Sequence, residues 1–368
     1  MKKILFLINN LCQGGAEKVL VNLVNNLDKS KYDVTLMTVC NEGVNRQFLD
    51  KDIKYKYMFG RHIPKIYDIF KVLSPQLLHK IFIKEKYDIE VAYLHGPCAR
   101  IISGCSNREA KLFSWIHGTK INKKHASAGF RKFEEAKECY GKFSKICCVS
   151  QSVEEAFNKI FGYEDKTVTI YNVNETDRIA ELGRVKTEIT FSESEFNIVS
   201  VGSIIPVKAF DRLARIQKKL NDIGYKTHMY ILGKGDTSKI EKYLSENNIE
   251  NTWTFLGYRT NPYAYVSKAD LYVCSSLREA LSTSVTEAML LGVPVVTTDC
   301  SGMREILGDN EAGLITENNE DALFDGIKKV IDNPDLLKKY KEKTKERARL
   351  FDKYEIIKQH EKLFDNIL

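Results

Sequence analysis

The sequence predicts an α/β protein of two domains, each built on a doubly wound parallel sheet. Three observations support this fold class. The chain has 368 residues, too many for one ordinary hydrophobic core and about right for two domains. Short apolar runs alternate with helical patterns along the first half, and the same alternation begins again in the second half. Buried strands separated by helices are typical of parallel sheets that carry helices on both faces.

The first half contains apolar runs that we interpret as buried strands, because they are short and rich in β-branched residues. They cover residues 4–8, 32–39, 89–94, 111–116 and 145–149. A helical pattern follows the first run and begins at Gly14-Gly15, with apolar residues at the spacing of one helix face.

The second half repeats this organisation, with predicted strands at 196–201, 227–232, 252–256, 271–274 and 293–297. The polar segment before it lacks a strong period. We therefore predict two Rossmann-like domains facing each other across a cleft, because ligands of open parallel sheets bind beyond the carboxyl ends of the strands. The predicted parts are a first domain at 1–175, a hinge at 176–195, a second domain at 196–351 and a C-terminal helix at 352–368 that packs back on the first domain.

Composition excludes several protein classes. The nine cysteines are scattered and form no C-x-x-C pair, which favours reduced cysteines in a cytoplasmic protein over disulfides or a zinc site. No stretch of 18 apolar residues occurs, so no membrane span is expected. The first residues resemble the start of a signal peptide, but the apolar run stops at Asn9-Asn10. A buried first strand is the better interpretation.

One segment is strongly basic. Residues 51–88 hold nine lysines or arginines against four acidic residues, with aromatic and aliphatic residues between them. This mixture suits peripheral contact with an anionic membrane. The alternative is a pair of solvated amphipathic helices packed on the first domain. No nucleic-acid motif accompanies the charge, so nucleic acid is not expected as a partner.

The strongest motif consists of two glutamates, Glu279 and Glu287, on either side of a polar loop that leads into a helix. Backbone N–H groups at Ser282, Thr283 and Ser284 suit a diphosphate, and a carboxylate one turn into the helix suits a ribose diol. The alternative is a capping box, in which Ser284 caps the helix and Glu287 satisfies the same helix end.

This segment resembles the retaining glycosyltransferases of the GT-B fold in the large family numbered four. Their usual form is Glu-Gly-Phe-Gly, followed by a second Glu and then Gly-x-Pro-Val-Val. This chain has Glu279-Ala280-Leu-Ser at the first position and ends in Gly-Val-Pro-Val-Val. The resemblance implies that Glu279 orients the transferred sugar and that Glu287 binds the donor. Ala280 in place of glycine leaves the identity of the sugar open.

The resemblance extends to the loop after residue 201, where the family has Gly-Arg-x-x-x-x-Lys-Gly. Lys208 matches the family lysine and is implied to stabilise the leaving diphosphate. Ser203 and Ala209 replace the arginine and the second glycine. One expected positive charge is therefore missing, and Arg212 and Arg259 are candidates to replace it.

Other donor contacts are implied by the same resemblance. Backbone groups near Gly257 and Tyr258 would contact the nucleobase, and the loop at Gly14 and Gly15 would let the backbone approach the donor phosphate and sugar. His117 matches the position of a histidine that touches the sugar. His95 also follows a predicted strand, and a structural role is the alternative for it.

The implied activity is transfer, with retention of configuration, of a hexosyl or N-acetylhexosaminyl unit from a nucleotide diphosphate sugar to a glycan or lipid-linked saccharide. The biological setting implied is cell-surface polysaccharide synthesis at the inner face of the plasma membrane. Uridine diphosphate is the expected donor base, with guanosine diphosphate as its rival. No Asp-x-Asp metal site is evident, and no metal or other cofactor is expected.

Two other interpretations remain open. The chain could be a sugar-nucleotide epimerase or hydrolase on the same fold, which would need a well-placed base and no acceptor surface. It could also be a catalytically silent subunit that binds nucleotide sugars, which the departures at Ser203, Ala209 and Ala280 would support. A classical dehydrogenase is disfavoured, because the Gly-x-Gly-x-x-Gly fingerprint is absent after the first strand.

Overall fold

The computed structural model describes residues 1–12, 14–119 and 122–365. The chain divides into two compact units. The first consists of Met1–Asn174 together with the described part of Lys353–Leu368, and the second is Glu175–Asp352. Within the described ranges, no helix combines the length and the apolar character needed to cross a membrane.

The first unit contains a sheet of seven parallel strands. Its strands are β1 Lys2–Ile8, β2 Tyr32–Cys40, β3 Lys54–Phe59, β4 Ile89–Ala92, β5 Lys111–Ile116, β6 Lys145–Cys148 and β7 Thr167–Thr169. They lie in the order β3-β2-β1-β4-β5-β6-β7. The order reverses between β1 and β4, so a crevice is expected at the carboxyl ends of these two strands.

Helices flank this sheet and bury their apolar faces against it. They are α1 Gly15–Asn26, α2 Ile66–Val72, α3 Pro75–Phe82, α4 Pro97–Ile102, α5 Lys123–Ala126, α6 Phe133–Gly141 and α7 Gln151–Phe161. Local chemistry sets several of their ends. Ser74 caps α3 by accepting the N–H of Leu77 at 3.2 Å, and Pro75 occupies the first helical position.

The second unit is built on a parallel sheet of six strands. They are β8 Phe196–Val201, β9 Thr227–Leu232, β10 Trp253–Gly257, β11 Leu271–Cys274, β12 Val295–Thr298 and β13 Leu314–Thr316. The helices are α8 Thr176–Gly183, α9 Phe210–Asp222, α10 Ser238–Glu246, α11 Tyr263–Val266, α12 Thr283–Leu290, α13 Met303–Leu307, α14 Glu320–Ile331 and α15 Pro334–Arg347. The strand order β10-β9-β8-β11-β12-β13 reverses between β8 and β11.

The last described helix, α16 (Lys353–Asp365), belongs to the first unit. Phe364 is fully buried and meets Phe113 edge-on, with ring centroids 5.4 Å apart. Asp365 accepts a hydrogen bond from the hydroxyl of Tyr32 at 2.9 Å. This helix therefore completes the core of the first unit. The last three residues of the predicted helix 352–368 lie outside the described residues.

The predicted fold class of two parallel-sheet domains is confirmed, and three edge strands were missed. Strands β3 and β7 are the two edges of the first sheet, and β13 is one edge of the second. Strand β3 also lies within the basic segment 51–88. The polar segment predicted as a hinge at 176–195 begins with a helix, α8, that packs against α11 and α12 within the second unit. Helix α8 was not predicted because its sequence contains no apolar run. Only Ile179 and Gly183 of its residues are buried.

Candidate active site

The carboxyl end of the second sheet gathers most of the predicted residues. Strands β8 and β11 lie side by side there, but the chain runs outward through β9 and β10 before it returns to β11. Such a reversal leaves a crevice in which open parallel sheets bind ligands. Lys208 follows β8 and Glu279 follows β11. The two strands on either side of the crevice therefore each deliver a charged residue.

These two residues form an ion pair. Lys208 Nζ lies 2.5 Å from Glu279 Oε1, which also accepts a hydrogen bond from the hydroxyl of Ser276 at 2.7 Å. Burial alone would lower the pKa of Lys208, but the Glu279 carboxylate outweighs this effect and holds the pKa above its ordinary value. The ammonium is therefore charged at physiological pH.

Two further hydrogen bonds fix the loops that carry this pair. The N–H of Leu277 donates to the carbonyl of Val207 at 2.8 Å. The hydroxyl of Ser275 donates to the carbonyl of Lys208, also at 2.8 Å. The turn Pro206–Lys208 is thus tied directly to the loop after β11, and the position of the ammonium depends on both loops.

Helix α12 points its first turn at the same loop. Its first intrahelical bond joins the N–H of Thr286 to the carbonyl of Ser282 at 3.0 Å. The N–H groups of Thr283 and Ser284 therefore have no partner inside the helix. A helix start of this kind favours an anion, as the sequence had indicated for these residues.

The capping-box alternative for Glu287 is wrong. Helix α12 begins at Thr283, so Ser282 and not Ser284 is the N-cap residue. Glu287 is then the fifth residue of the helix, too far along to reach back to its start. Its carboxylate instead accepts a hydrogen bond from the hydroxyl of Tyr263, at 3.1 Å between Oε1 and the phenol oxygen. Tyr263 was not singled out from the sequence.

The predicted base-binding residues lie at the end of β10. Gly257 has a positive φ of 68°, and its carbonyl accepts the N–H of Gly233 at 2.9 Å. This bond holds the ends of β9 and β10 together. Tyr258 follows directly and is 45% exposed, so its ring is accessible to a ligand at the sheet edge.

In the first unit, Gly14 and Gly15 form the start of α1 after β1, as predicted. Gly14 is the N-cap residue, and Glu17 folds back over it. A Cβ at Gly14 would lie only 1.8 Å from the Glu17 carboxylate, so no larger residue fits without moving that side chain. Burial raises the pKa of Glu17. Gln13, the residue before this pair, lies outside the described residues.

His117 follows β5 at the carboxyl end of the first sheet. Its ring packs against Tyr93, with ring centroids 4.8 Å apart. Burial, with a smaller contribution from His360, lowers the pKa of His117 to about 3, so the ring is neutral. Its Nε2 atom is shielded from solvent and finds no hydrogen-bond partner among the residues that the structure describes. Such an atom is costly unless a ligand satisfies it.

Comparison with known proteins identifies the family. Residues 184–347 match the family described as "Glycosyl transferases group 1", and residues 13–178 match "Glycosyltransferase Family 4". The two matches cover both units. This chain belongs to the group 1 glycosyltransferases.

Relatives of this glycosyltransferase match it over most of its length. It is 27% identical to the N-acetylgalactosamine-N,N'-diacetylbacillosaminyl-diphospho-undecaprenol 4-alpha-N-acetylgalactosaminyltransferase of Campylobacter jejuni, over 97% of each chain. It is 22% identical to the UDP-Gal:alpha-D-GlcNAc-diphosphoundecaprenol alpha-1,3-galactosyltransferase of Escherichia coli, over 87% of this chain and 85% of that protein. The solved structure of Anabaena Alr3699/HepE in complex with UDP and glucose matches with a TM-score of 0.79 at 18% identity, over the whole of both chains.

The departures of this glycosyltransferase from the family pattern have different consequences. Ala209 adopts the left-handed conformation, with φ 49° and ψ 45°, which explains why glycine is usual there. Ala280 has no positive φ, so alanine is compatible with its backbone. Its carbonyl packs on Gly302, where a Cβ would approach to 2.1 Å. Ser203 is exposed and supplies no positive charge at the position of the family arginine.

The two arginines suggested as replacements for the missing charge have other partners. Arg212 is buried and donates to Asn318 Oδ1 at 3.0 Å. Arg259 pairs with Glu188 at 3.0 Å. These contacts therefore give no support for either arginine as a phosphate ligand.

The first unit of this glycosyltransferase contains an Asp-x-Asp sequence and a cluster of possible metal ligands. The sequence Asp50-Lys-Asp52 is literally an Asp-x-Asp, but both carboxylates face the ammonium of Lys29, at 2.7 and 3.4 Å. His79, Glu90 and Cys105 place their ligand atoms within 4.8 Å of one another. The wide spacing of these three in the sequence gave no signal for the cluster.

That cluster is a hydrogen-bonded trio. His79 Nε2 lies 2.7 Å from one oxygen of Glu90, and the thiol of Cys105 donates to the other at 3.4 Å. Burial, with a further contribution from Glu90, raises the pKa of Cys105 to about 12, so the thiol is protonated. The trio thus satisfies a buried carboxylate with two donors.

Proposed function

We propose that this glycosyltransferase moves a hexosyl or N-acetylhexosaminyl unit, with retention of configuration, from a uridine diphosphate sugar to a glycan or lipid-diphosphate-linked saccharide. The observation that carries the donor half of this proposal is the arrangement at the β8/β11 crevice. There Lys208, Glu279 and the start of α12 combine one cation, one carboxylate and several N–H donors. The relatives in C. jejuni and E. coli, by their names, act on saccharides linked to diphospho-undecaprenol.

The proposed reaction breaks the bond between the anomeric carbon and the donor phosphate oxygen. A bond from that carbon to the acceptor oxygen forms on the same face, and the departing phosphate oxygen takes the acceptor proton. The protein then has to stabilise the negative charge that develops on the diphosphate. Lys208 and the amides of Thr283 and Ser284 are the groups for this task. Neutral His117 would hydrogen-bond the transferred sugar through Nε2.

Metal independence is part of this proposal, because a charged lysine and a helix start can neutralise a diphosphate. Activity is expected to survive an excess of chelator. Loss of activity that Mg²⁺ or Mn²⁺ restores would contradict it. Retention is checked by proton NMR of the product, in which the anomeric configuration of the donor should be preserved.

The first test of the donor site is thermal stabilisation by a panel of nucleotide sugars. A ligand at 100 times its dissociation constant stabilises a protein by about 2.7 kcal/mol, which is easily measured. We expect uridine diphosphate sugars to stabilise the wild type and to lose this effect with Lys208→Ala and Glu287→Ala. Lys239→Ala, on the exposed face of α10, is the matched control and should respond like the wild type. No response to any nucleotide sugar would refute the donor site.

Turnover distinguishes the competing enzyme functions. Release of nucleoside diphosphate that depends on an added saccharide acceptor supports transfer. Release at the same rate without acceptor would favour the hydrolase interpretation, and donor binding without turnover would favour the silent subunit.

We also propose that the basic segment 51–88 contacts an anionic membrane. Helices α2 and α3 in this segment expose several large apolar side chains, namely Ile69, Val72, Leu77 and Ile81. Val72 is 76% exposed. Lysines lie among them at positions 65, 71, 80 and 84. Apolar side chains bordered by cations are complementary to the surface of an anionic bilayer.

The packing beneath α2 supports this proposal, because it holds the apolar face in a fixed position. Arg100 is fully buried and donates to the carbonyls of Phe70 and Leu73 at 2.7 and 2.6 Å. Its guanidinium also pairs with Glu135 at 2.8 Å. A buried ion pair at the end of a two-turn helix gives that helix an anchor that its own length would not provide.

A further inference from the structure

The hydrogen bond between Tyr263 and Glu287 has no counterpart in the sequence motif. Tyr263 is 6% exposed and Glu287 is 8% exposed. The phenol oxygen lies 3.1 Å from Glu287 Oε1. The two residues sit on different helices, α11 before β11 and α12 after it. The contact therefore joins two elements that are separated by a strand.

A buried carboxylate is stable only when hydrogen bonds replace the water that it has lost. A phenol hydroxyl provides one such bond. A carboxylate can accept about four hydrogen bonds through its two oxygens, so the bond from Tyr263 does not exhaust its capacity. The carboxylate thus gains a fixed orientation and can still accept hydrogen bonds from a ligand.

The helix that carries Tyr263 is itself held in place. The hydroxyl of Ser267 donates to the carbonyl of Gly183 at 2.6 Å, and the amide of Asn261 donates to the carbonyl of Leu182 at 3.0 Å. Both acceptors lie at the end of α8. The same helix end meets α12, where a Cβ at Gly183 would come within 2.6 Å of Leu291. Helix α8 therefore supports both partners of the Tyr263–Glu287 contact.

We propose that Tyr263 is a positioning residue for the donor, which orients the Glu287 carboxylate to accept hydrogen bonds from the ribose hydroxyls. This inference rests on the proposed role of Glu287 in donor binding. Tyr263 does not touch the sugar that is transferred, and its effect passes through the carboxylate. Removal of its hydroxyl should therefore weaken recognition of the ribose and leave the chemical step largely unchanged.

The test compares the binding of uridine diphosphate and of 2′,3′-dideoxyuridine diphosphate, which lacks both ribose hydroxyls, by calorimetry. We expect the wild type to prefer the ribose form by about tenfold or more, since a charged hydrogen bond to a hydroxyl is lost in the analogue. Tyr263→Phe should weaken binding of the ribose form about fivefold to tenfold and leave the dideoxy form nearly unchanged. In turnover, this variant should raise KM for the donor and change kcat by less than about twofold.

Tyr265→Phe is the matched control, because Tyr265 is a buried tyrosine on the same helix. It should keep the wild-type preference for ribose. Glu287→Gln should lose that preference, and addition of Tyr263→Phe to it should have no further effect. The comparison of two ligands also answers the question of misfolding, because a general loss of structure would weaken the binding of both ligands equally.

Two negative outcomes have different meanings. If the wild type binds neither nucleotide, nor the guanosine pair used in the same way, the proposed donor site fails and the inference fails with it. If the wild type prefers ribose and Tyr263→Phe keeps the same preference, the donor site stands and the role of Tyr263 is refuted.

Discussion

Lys208 and Glu279 neutralise each other across the β8/β11 crevice, although the proposed reaction needs both of them for the donor. A diphosphate entering the crevice would offer Lys208 a second anionic partner. The carboxylate would then be available to a sugar hydroxyl. Removal of the lysine alone leaves a largely buried carboxylate without its cation, a change that commonly costs about 3–5 kcal/mol. Lys208→Ala is therefore judged by its response to ligand and not by its melting temperature alone.

Ala209 is held in a conformation that favours glycine, and this leads to a prediction. The left-handed region costs a residue with a Cβ about 1–2 kcal/mol, whereas glycine adds about 0.5–1 kcal/mol of chain entropy to the unfolded state. Ala209→Gly is therefore expected to raise the free energy of unfolding by up to about 1 kcal/mol. Urea denaturation measures the change. Ala214→Gly, inside α9, is the control and should destabilise the protein. Destabilisation of similar size at both positions would contradict the strain.

His360 predicts a loss of stability at acidic pH. It is 1% exposed and stacks on Trp115 at 5.5 Å. Burial lowers its pKa to about 4, against the opposing effect of a hydrogen bond to the carbonyl of Ile356. Since an unfolded histidine titrates near 6.5, the unfolded chain binds a proton that the folded chain does not accept between these values. Stability should therefore fall as the pH falls from about 6.5 towards 4.

This effect amounts to about 2 kcal/mol between pH 7 and pH 5. The variant His360→Gln should lose that part of the pH dependence, although it is less stable at pH 7. Denaturation curves at several pH values measure it, with His62→Gln at an exposed position as the control. An unchanged slope in His360→Gln would show that another group carries the acid sensitivity.

At the scale of elements, helix α2 yields the test of the membrane proposal. Ile69 and Val72 are more than half exposed, so their replacement by serine should leave the fold intact. Ile69→Ser with Val72→Ser is expected to reduce binding to vesicles of phosphatidylglycerol about tenfold or more, because each buried aliphatic side chain contributes about 1.5–3 kcal/mol. Co-sedimentation measures this.

Leu350→Ser is the control for that experiment, since Leu350 is 51% exposed in the second unit. Wild-type binding should fall with salt and should be weak on phosphatidylcholine, because the cations need an anionic surface. Equal binding to both lipids, or no effect of the double change, would contradict contact through α2.

The regular elements could be predicted where a buried strand contains a continuous apolar run, as in β1 and β11. Strand β3 escaped prediction because charged and aromatic residues alternate in it and none of its residues is fully buried. Strand β13 has only three residues, all half-buried. Such strands are set by pairing with a neighbour, and pairing leaves little trace in a single sequence.

The site shows the same limit. Glu279, Glu287 and Lys208 carry a family pattern and could be found from the sequence. Tyr263 could not, because a tyrosine in a helix before a strand is usually part of the core, and only the fold shows that its hydroxyl meets Glu287. The ion pair of Lys208 and Glu279, whose partners are 71 positions apart in the chain, likewise depends on the return of the chain from β10 to β11.

For the whole molecule, the division into two units predicts where a nucleotide should act. Apart from the loop at Gly14 and Gly15, the groups that we assign to the diphosphate, the base and the ribose belong to the second unit. Binding of uridine diphosphate to the full chain should therefore slow amide hydrogen exchange in three stretches of that unit, at 202–209, 257–263 and 276–290. These contain the turn of Lys208, the end of β10, and the loop with the start of α12.

In the first unit, the stretches at 14–26 and 111–119 provide a second comparison in the same experiment. They carry the residues proposed to meet the sugar, so uridine diphosphate alone should protect them less than the intact nucleotide sugar does. The Lys208→Ala variant should lose protection in all three stretches of the second unit together, because the ammonium and the helix start act on one diphosphate. Protection by the nucleotide confined to the first unit would instead place the diphosphate at the end of β1 and would require the roles of the two units to be exchanged.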